Sequence, residues 1–244
     1  MDFKKINYIT QNFFYKSNVL KIDLIDSGII NKTYIIEYLS NGKKSKFILQ
    51  CLSNIFESYD ILNMNHKLIT DHIKNKIKKN LIEFDCRRFE VPSLIRCDSN
   101  KLFLFPFDSD YWRAMVYIED TFSYDILKDK SMAYETGVGL AKFHLICSDL
   151  DLAKVGNSIK NFHNTIYYID QFNISIKNYN FIKLDDNLNK RTQKLIISLS
   201  NHIIYVRSLL ESLSDKLIDH SVIHGDPKLS NFLFDVKYKD VVSL

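Results

Sequence analysis

A chain of 244 residues can form one large or two modest domains around a sizeable buried core. Its composition, 46% hydrophobic and 25% charged, is that of a soluble globular protein, and a net charge of +4 without aromatic-interleaved basic blocks excludes a nucleic-acid-binding surface. No apolar h-region follows Met1-Asp2-Phe3-Lys4-Lys5 and no run reaches the roughly 18 apolar residues of a membrane span, so the chain is read as soluble and cytoplasmic, with no membrane partner.

Residues before Asn18 read as a short, partly helical lead-in. Loose alternation over 19–25 predicts a strand, which Asp26-Ser27-Gly28-Ile29-Ile30-Asn31-Lys32-Thr33 breaks. A second strand is expected over 34–39. Asn41-Gly42 follows, the strongest short hairpin signal because both residues tolerate positive φ, and 46–50 is the returning strand. The turn around Gly28 can be read as a plain hairpin or as a loop lying over a phosphate.

Apolar residues at Ile61, Leu62, Leu68, Ile69, Ile73 and Ile77 predict a helix within 56–79, with a face to pack on the sheet. The basic run over 74–79 is its solvated end, where lysines complement the helix dipole. Residues 89–95, 101–107 and 112–118 are further strand candidates, the last ending at Glu119-Asp120-Thr121. Helical spacing returns over 132–147, with Gly137, Leu140, Ala141 and His144 along one face. His144 reads as a core or interface histidine, since no second ligand type stands at metal spacing. The cysteines Cys51, Cys86, Cys97 and Cys147 also lack paired metal spacing and read as reduced thiols. Residues 150–188 are polar, aromatic-rich and less periodic. Leu195, Ile196, Leu199, Ile203, Val206, Leu210 and Leu213 then define a long amphipathic helix.

The densest chemistry lies in His224-Gly225-Asp226-Pro227-Lys228-Leu229-Ser230-Asn231, between a strand-like lead-in, Val222-Ile223, and a strand over 232–236. A carboxylate on a tight Gly-containing turn is followed, five positions on, by an amide side chain. Phosphoryl transfer needs such a pair, an acceptor for the substrate hydroxyl proton and a neutral oxygen ligand for magnesium. Protein kinases keep their catalytic Asp and Asn at the same separation. The alternative is a plain surface turn built from Gly, Asp and Pro.

This octet resembles the catalytic loop of the aminoglycoside phosphotransferase and choline kinase group, whose members share the protein-kinase-like fold and phosphorylate small molecules. Other stretches resemble one branch of that group, the N-acetylhexosamine 1-kinases and their bacterial relatives. They are Gly28-Ile29-Ile30-Asn31-Lys32-Thr33-Tyr34, Phe47-Ile48-Leu49-Gln50 with Asn54-Ile55-Phe56, Trp112-Arg113, Phe143-His144 with Asp149-Leu150-Asp151, and Asn161-Phe162-His163-Asn164-Thr165. The resemblance implies an α+β, two-lobed fold: an antiparallel-sheet N-lobe over 1–119 and a mainly helical, incomplete C-lobe over 120–244. It implies transfer of the γ-phosphoryl group of ATP, with Mg2+, to a small-molecule substrate, a sugar hydroxyl and for the nearest relatives the anomeric one. Asp226 would accept or orient the hydroxyl proton, His224 would shape the loop, and Asn231 would hold the metal. Ser27, Gly28, Asn31, Lys46, Gln50, Glu119 and Lys228 would lie around the nucleotide, with Asn161 and His163 on the substrate side.

The chain departs from the kinase pattern in two places. A strand lysine normally pairs with a helix glutamate, whereas here the strand offers Lys46 and Gln50 on one face, so only one of them can sit at the phosphates. The helix carries Asn65 where a carboxylate is expected. The second magnesium-binding Asp, expected on the strand that follows 237–240, is not reached by Leu244, and Asp235 and Asp240 are poor substitutes. A C-terminally truncated kinase with little or no activity of its own is therefore expected. The competing readings are a non-catalytic protein that binds nucleotide or a partner, and a kinase for choline, homoserine or an aminoglycoside.

Overall fold

The computed structural model describes residues 3–25, 28, 30–79, 87–179, 183, 185–214 and 219–244. They fall into two units, 1–160 with 221–244, and 161–220.

The first unit is built on an antiparallel sheet. Strands β1 (Asn18–Ile25), β2 (Lys32–Ser40) and β3 (Lys43–Cys51) form a meander. The hairpin between β2 and β3 turns at Asn41 and Gly42, with φ of 50° and 76°, the left-handed pair that matches the twist of flanking strands. Strand β6 (Asp110–Val116) pairs with β3 and carries the short strands β4 (Leu94–Ile95) and β5 (Phe105–Phe107), giving the order β1-β2-β3-β6-β4 with β5 on β6. Directly opposed residues share a face, so Tyr34, Leu49 and Ala114 form one buried row, while Thr33, Gln50 and Arg113 form a row on the opposite side. Helix α1 (Phe3–Phe13) covers the first face, burying Ile6, Ile9 and Phe13 against Ile36, Phe47 and Trp112.

The strands expected over 89–95 and 101–107 form ladders only at Leu94–Ile95 and Phe105–Phe107. Pro92 has no N–H to give. Residues 98–101 fold into a turn, with Lys101 at φ 62° and its N–H on the Cys97 carbonyl.

Helix α2 (Tyr59–Lys78) begins where Ser58 Oγ accepts the Ile61 N–H at 3.2 Å. Its buried Ile73 packs with Phe143 and Ile146 of helix α3 (Lys130–Cys147), so its main apolar contact is a helix and not the sheet. On α3 most of the expected face is turned outward: Gly137, Ala141 and His144 are exposed, while Leu140 of that face is half-buried against the cluster of Phe232 and Val241, and the buried stripe is Met132, Gly139, Phe143 and Ile146. Gly139 permits the closest approach, because a methyl there would stand 2.5 Å from Val241 Cγ1.

Three short strands, β7 (Thr121–Phe122), β8 (Leu233–Asp235) and β9 (Val241–Ser243), form a second antiparallel sheet. Phe232 and Phe234, both fully buried, anchor it with Met132 and Val241. Each such phenylalanine contributes about 1.5–3 kcal/mol of hydrophobic burial.

The second unit contains helices α4 (Thr165–Tyr179) and α5 (Asp186–Ser214). Helix α5 was expected from its apolar spacing. Helix α4 lies in the stretch read as less periodic; among its apolar side chains Ile166, Tyr168 and Ile174 are exposed, and Ile169, Phe172 and Ile176 are half-buried. Among the described residues no helix is long and apolar enough to cross a membrane. Cys97 and Cys147 are buried free thiols and Cys51 is half-buried, whereas Cys86 lies outside the described residues.

Candidate active site

The octet forms the expected tight loop, but the Val222-Ile223 lead-in is not a strand. Val222 is buried in the cluster around Phe143, Ile223 is exposed, and neither belongs to a ladder. Gly225 sits at φ 85°, a conformation a side chain would strain. The Asp226 N–H then points back to His224 Nδ1 at 3.4 Å. That contact makes Nδ1 the acceptor and puts the ring proton on Nε2. Burial lowers the His224 pKa and outweighs the opposing pull of Asp226, so the ring is neutral at pH 7. His224 packs edge-on to Phe143, with centroids 6.0 Å apart. Its place is that of a loop-shaping group.

The chain next closes on itself. Lys228 N–H donates to the Asp226 carbonyl at 2.9 Å, and a single 3-10 turn, Leu229–Asn231, returns Asn231 to Asp226. Asn231 Nδ2 donates to the Asp226 carbonyl at 2.7 Å and to its carboxylate Oδ2 at 3.1 Å. The Asn231 amide is thereby oriented with Oδ1 directed away from the carboxylate, as a neutral oxygen ligand. Lys228 Nζ lies 3.5 Å from the same Oδ2. The second carboxylate oxygen of Asp226 makes none of these contacts, which leaves it able to take a proton.

Asp226, Lys228 and Asn231 share a cavity of about 280 Å³ with Gly28, Asn31, Thr33 and Gln50. The loop after β1 and the ends of β2 and β3 therefore form one wall, and the octet forms the other. Asn31 Oδ1 accepts the Ser53 N–H at 3.0 Å, so its N–H groups remain for the cavity. A second cavity of about 220 Å³ shares Ile25 with the first and is mostly apolar, lined by Ile35, Ile48, Val116, Ile118, Phe122 and Leu233.

The remaining expected residues are placed differently. Of Lys46 and Gln50, only Gln50 lines the cavity with Asp226; Lys46 stands 3.9 Å from Glu119 and over the Tyr117 ring. Glu119 is largely exposed, and its carbonyl accepts from Arg88 at 2.9 Å. Ser27 lies outside the described residues. Asn161 and His163 begin the second unit, at φ of 54° and 56°, in a turn where Asn164 Oδ1 accepts the Tyr167 N–H at the start of α4. Asn65 faces no cavity wall: it forms a two-way pair with the backbone of Gly156, at 2.6 and 3.0 Å. Asp235 Oδ1 accepts the Lys237 and Tyr238 N–H groups, and these bonds lower its pKa.

One group was not foreseen. Arg113, 7% exposed, donates from Nε to Gln50 Oε1 at 2.9 Å and from Nη1 to Asn63 Oδ1 at 3.2 Å. Desolvation pushes its pKa down to about 10. Its position opposite Gln50, one strand over, was the available signal.

Among the described residues no group of three or more His, Cys, Asp or Glu side chains converges as a metal-binding cluster. The loop does present two oxygen groups at one cavity, the Asp226 carboxylate and, turned away from it, Asn231 Oδ1. This set suits a hard divalent cation that takes most of its ligands from phosphates and water.

No family model matches the chain. Among solved structures it is similar to a spectinomycin phosphotransferase crystallised with ADP and spectinomycin. The TM-score is 0.51 at 14% identity, over 99% of this chain and 67% of that one. Together with the antiparallel sheet and the helices described above, this likeness gives the chain an α+β, protein-kinase-like fold.

Proposed function

We propose that the chain is an ATP-dependent small-molecule phosphotransferase, with residues 1–119 as the lobe over the nucleotide and 120–244 as the lobe that holds the catalytic loop. The observation that carries this reading is the convergence of Asp226 and Asn231, side by side, on one cavity with Gly28, Asn31 and Gln50. The adjoining apolar cavity suits an adenine ring and the polar one its phosphates. Asp226 would accept the proton of the attacking hydroxyl on the oxygen that Asn231 and Lys228 leave free. Lys228, now paired with Asp226, would turn to the transferring phosphoryl group. Asn231 Oδ1 would hold magnesium, which would supply positive charge to neutralise the phosphates. His224, neutral and packed, keeps the loop in shape.

The acceptor we infer is a polyhydroxylated ring, a sugar such as an N-acetylhexosamine. The second reading is an aminocyclitol or aminoglycoside, favoured by the spectinomycin bound to the similar structure. Calorimetry of ATP binding with and without Mg2+ tests the proposal. Wild type should bind ATP more tightly with Mg2+, and Asn231→Ala should lose that increment. Absence of nucleotide binding, or Mg2+ independence in wild type, refutes it. Transfer of labelled phosphate across a panel of N-acetylhexosamines, aminocyclitols, choline and homoserine then identifies the acceptor. Tight Mg2+-dependent binding without transfer to any of them assigns a non-catalytic role.

A further inference from the structure

Three residues in one row across β2, β3 and β6 form a hydrogen-bond chain that runs in a single direction. Arg113 Nε donates to Gln50 Oε1 at 2.9 Å, and Gln50 Nε2 donates to Thr33 Oγ1 at 3.0 Å. A guanidinium has donors only, so it can hold the Gln50 amide in one of its two flips, with oxygen toward Arg113. The second Nε2 proton of Gln50 and the hydroxyl proton of Thr33 are then left for the cavity that both residues line. Asn31, with its oxygen on the Ser53 N–H, adds further donors to the same wall.

Behind this wall Arg113 meets two neutral amide oxygens, and among the described residues it forms no ion pair with a carboxylate. Asn63, 5% exposed, is itself fixed, since its Nδ2 donates to the Phe103 carbonyl at 3.3 Å. The nearby His66 donates its ring N–H to the Pro92 carbonyl at 2.7 Å and is uncharged at neutral pH. A buried cation held by neutral partners is costly unless an anion arrives.

We propose that Arg113 is a positioning residue for phosphate: it acts through Gln50 and Thr33 to make this wall a donor-only surface, and the anion it awaits is the polyphosphate of a nucleotide. The relay takes the place of the usual pair of strand lysine and helix glutamate: Lys46 of β3 stands by Glu119 outside this cavity, and α2 carries Asn65 where the carboxylate is expected. Identification of the anion with a nucleotide rests on the proposed function; the phosphate preference of the wall does not.

The test uses the full chain and three probes: ATP with Mg2+, adenosine, and inorganic tripolyphosphate, each titrated by calorimetry. Arg113→Met should weaken ATP and tripolyphosphate roughly tenfold or more, the loss of charge-assisted hydrogen bonds, and leave adenosine unchanged. Arg113→Lys, which keeps charge and a donor, should restore most of the loss. A merely structural role would weaken all three probes alike. That result, or wild-type phosphate affinity in Arg113→Met, overturns the proposal. Should Arg113→Met fail to fold, Gln50→Glu decides: it gives Arg113 a counterion, so the ligand-free protein should melt higher while tripolyphosphate binding is lost, and retained binding overturns the relay. Wild type binding tripolyphosphate but no nucleotide would sink the proposed function and spare the relay. Wild type binding neither would sink both.

Discussion

Gly139 is the point where α3 and β9 touch most closely, and Gly139→Ala measures how tightly the scaffold behind the loop is packed. The added methyl would lie 2.5 Å from Val241 Cγ1 and 2.9 Å from its Cβ. Ordinary carbon contacts are about 3.5–4.0 Å, so helix or strand must move by roughly 1 Å. Val241 and Val242 are both fully buried and have little room to move. Overpacking of this kind costs about 1–3 kcal/mol, and alanine recovers about 0.8–1.0 kcal/mol in helix propensity. A net loss of up to about 2 kcal/mol is expected, a fall in Tm of at most roughly 8 °C for a chain of this size. Thermal unfolding followed by circular dichroism and by the fluorescence of the single tryptophan, Trp112, gives the number. Val241→Ala removes the two methyls nearest the new carbon, so the same substitution in that background should cost at least about 0.5 kcal/mol less. A Tm raised in Gly139→Ala, or an equal change in both backgrounds, would refute the packing account.

Burial, and secondarily the charge of Arg113, lowers the His66 pKa from 6.5 to about 4. Between these values the unfolded chain binds the proton and the folded one does not, so this contribution is complete above pH 6.5. It is lost as pH falls to 4, and amounts to about 3 kcal/mol. Melting curves from pH 4 to 8 should show that acid limb, and His66→Gln, whose amide can still donate to Pro92, should flatten it; an unchanged slope in the variant would discount His66. Asn65→Ala removes both bonds to Gly156 and should cost about 1–3 kcal/mol, read most directly as faster hydrogen exchange at the Gly156 amide. Unaltered exchange there would mean that the pair does not hold this segment.

What could be read in the residue order followed local physics. The β1-β2-β3 meander was legible because Asn41-Gly42 names its own turn and alternation names the strands. The Asp226–Asn231 pair was legible because a spacing of five across a tight turn leaves few arrangements. Helix α4 was hard to read because exposed apolar residues, Ile166, Tyr168 and Ile174, are interspersed with its half-buried row of Ile169, Phe172, Ile176 and Tyr179, and none of them is fully buried. On α3 the small residues misled: Gly137 and Ala141 suggested close packing, while the contact that needs a glycine is at Gly139, set by the strand opposite. In the residue order Arg113 stands out only as half of a Trp-Arg pair. Its partners Gln50 and Asn63 lie 63 and 50 positions away, and only strand register and the approach of α2 bring them together.

Strand β8 is three residues long, yet its alternation serves two clients. Leu233 forms part of the apolar cavity wall, while its neighbour Phe234 turns the other way into Phe122 and Tyr124. Selection for a bulkier or slimmer guest can therefore act on position 233 alone, and the aromatic keystone next to it need not follow. A one-residue slip of that strand would exchange the two jobs, so the brevity of the ladder makes its flanking turns, and not its own hydrogen bonds, the guardians of register.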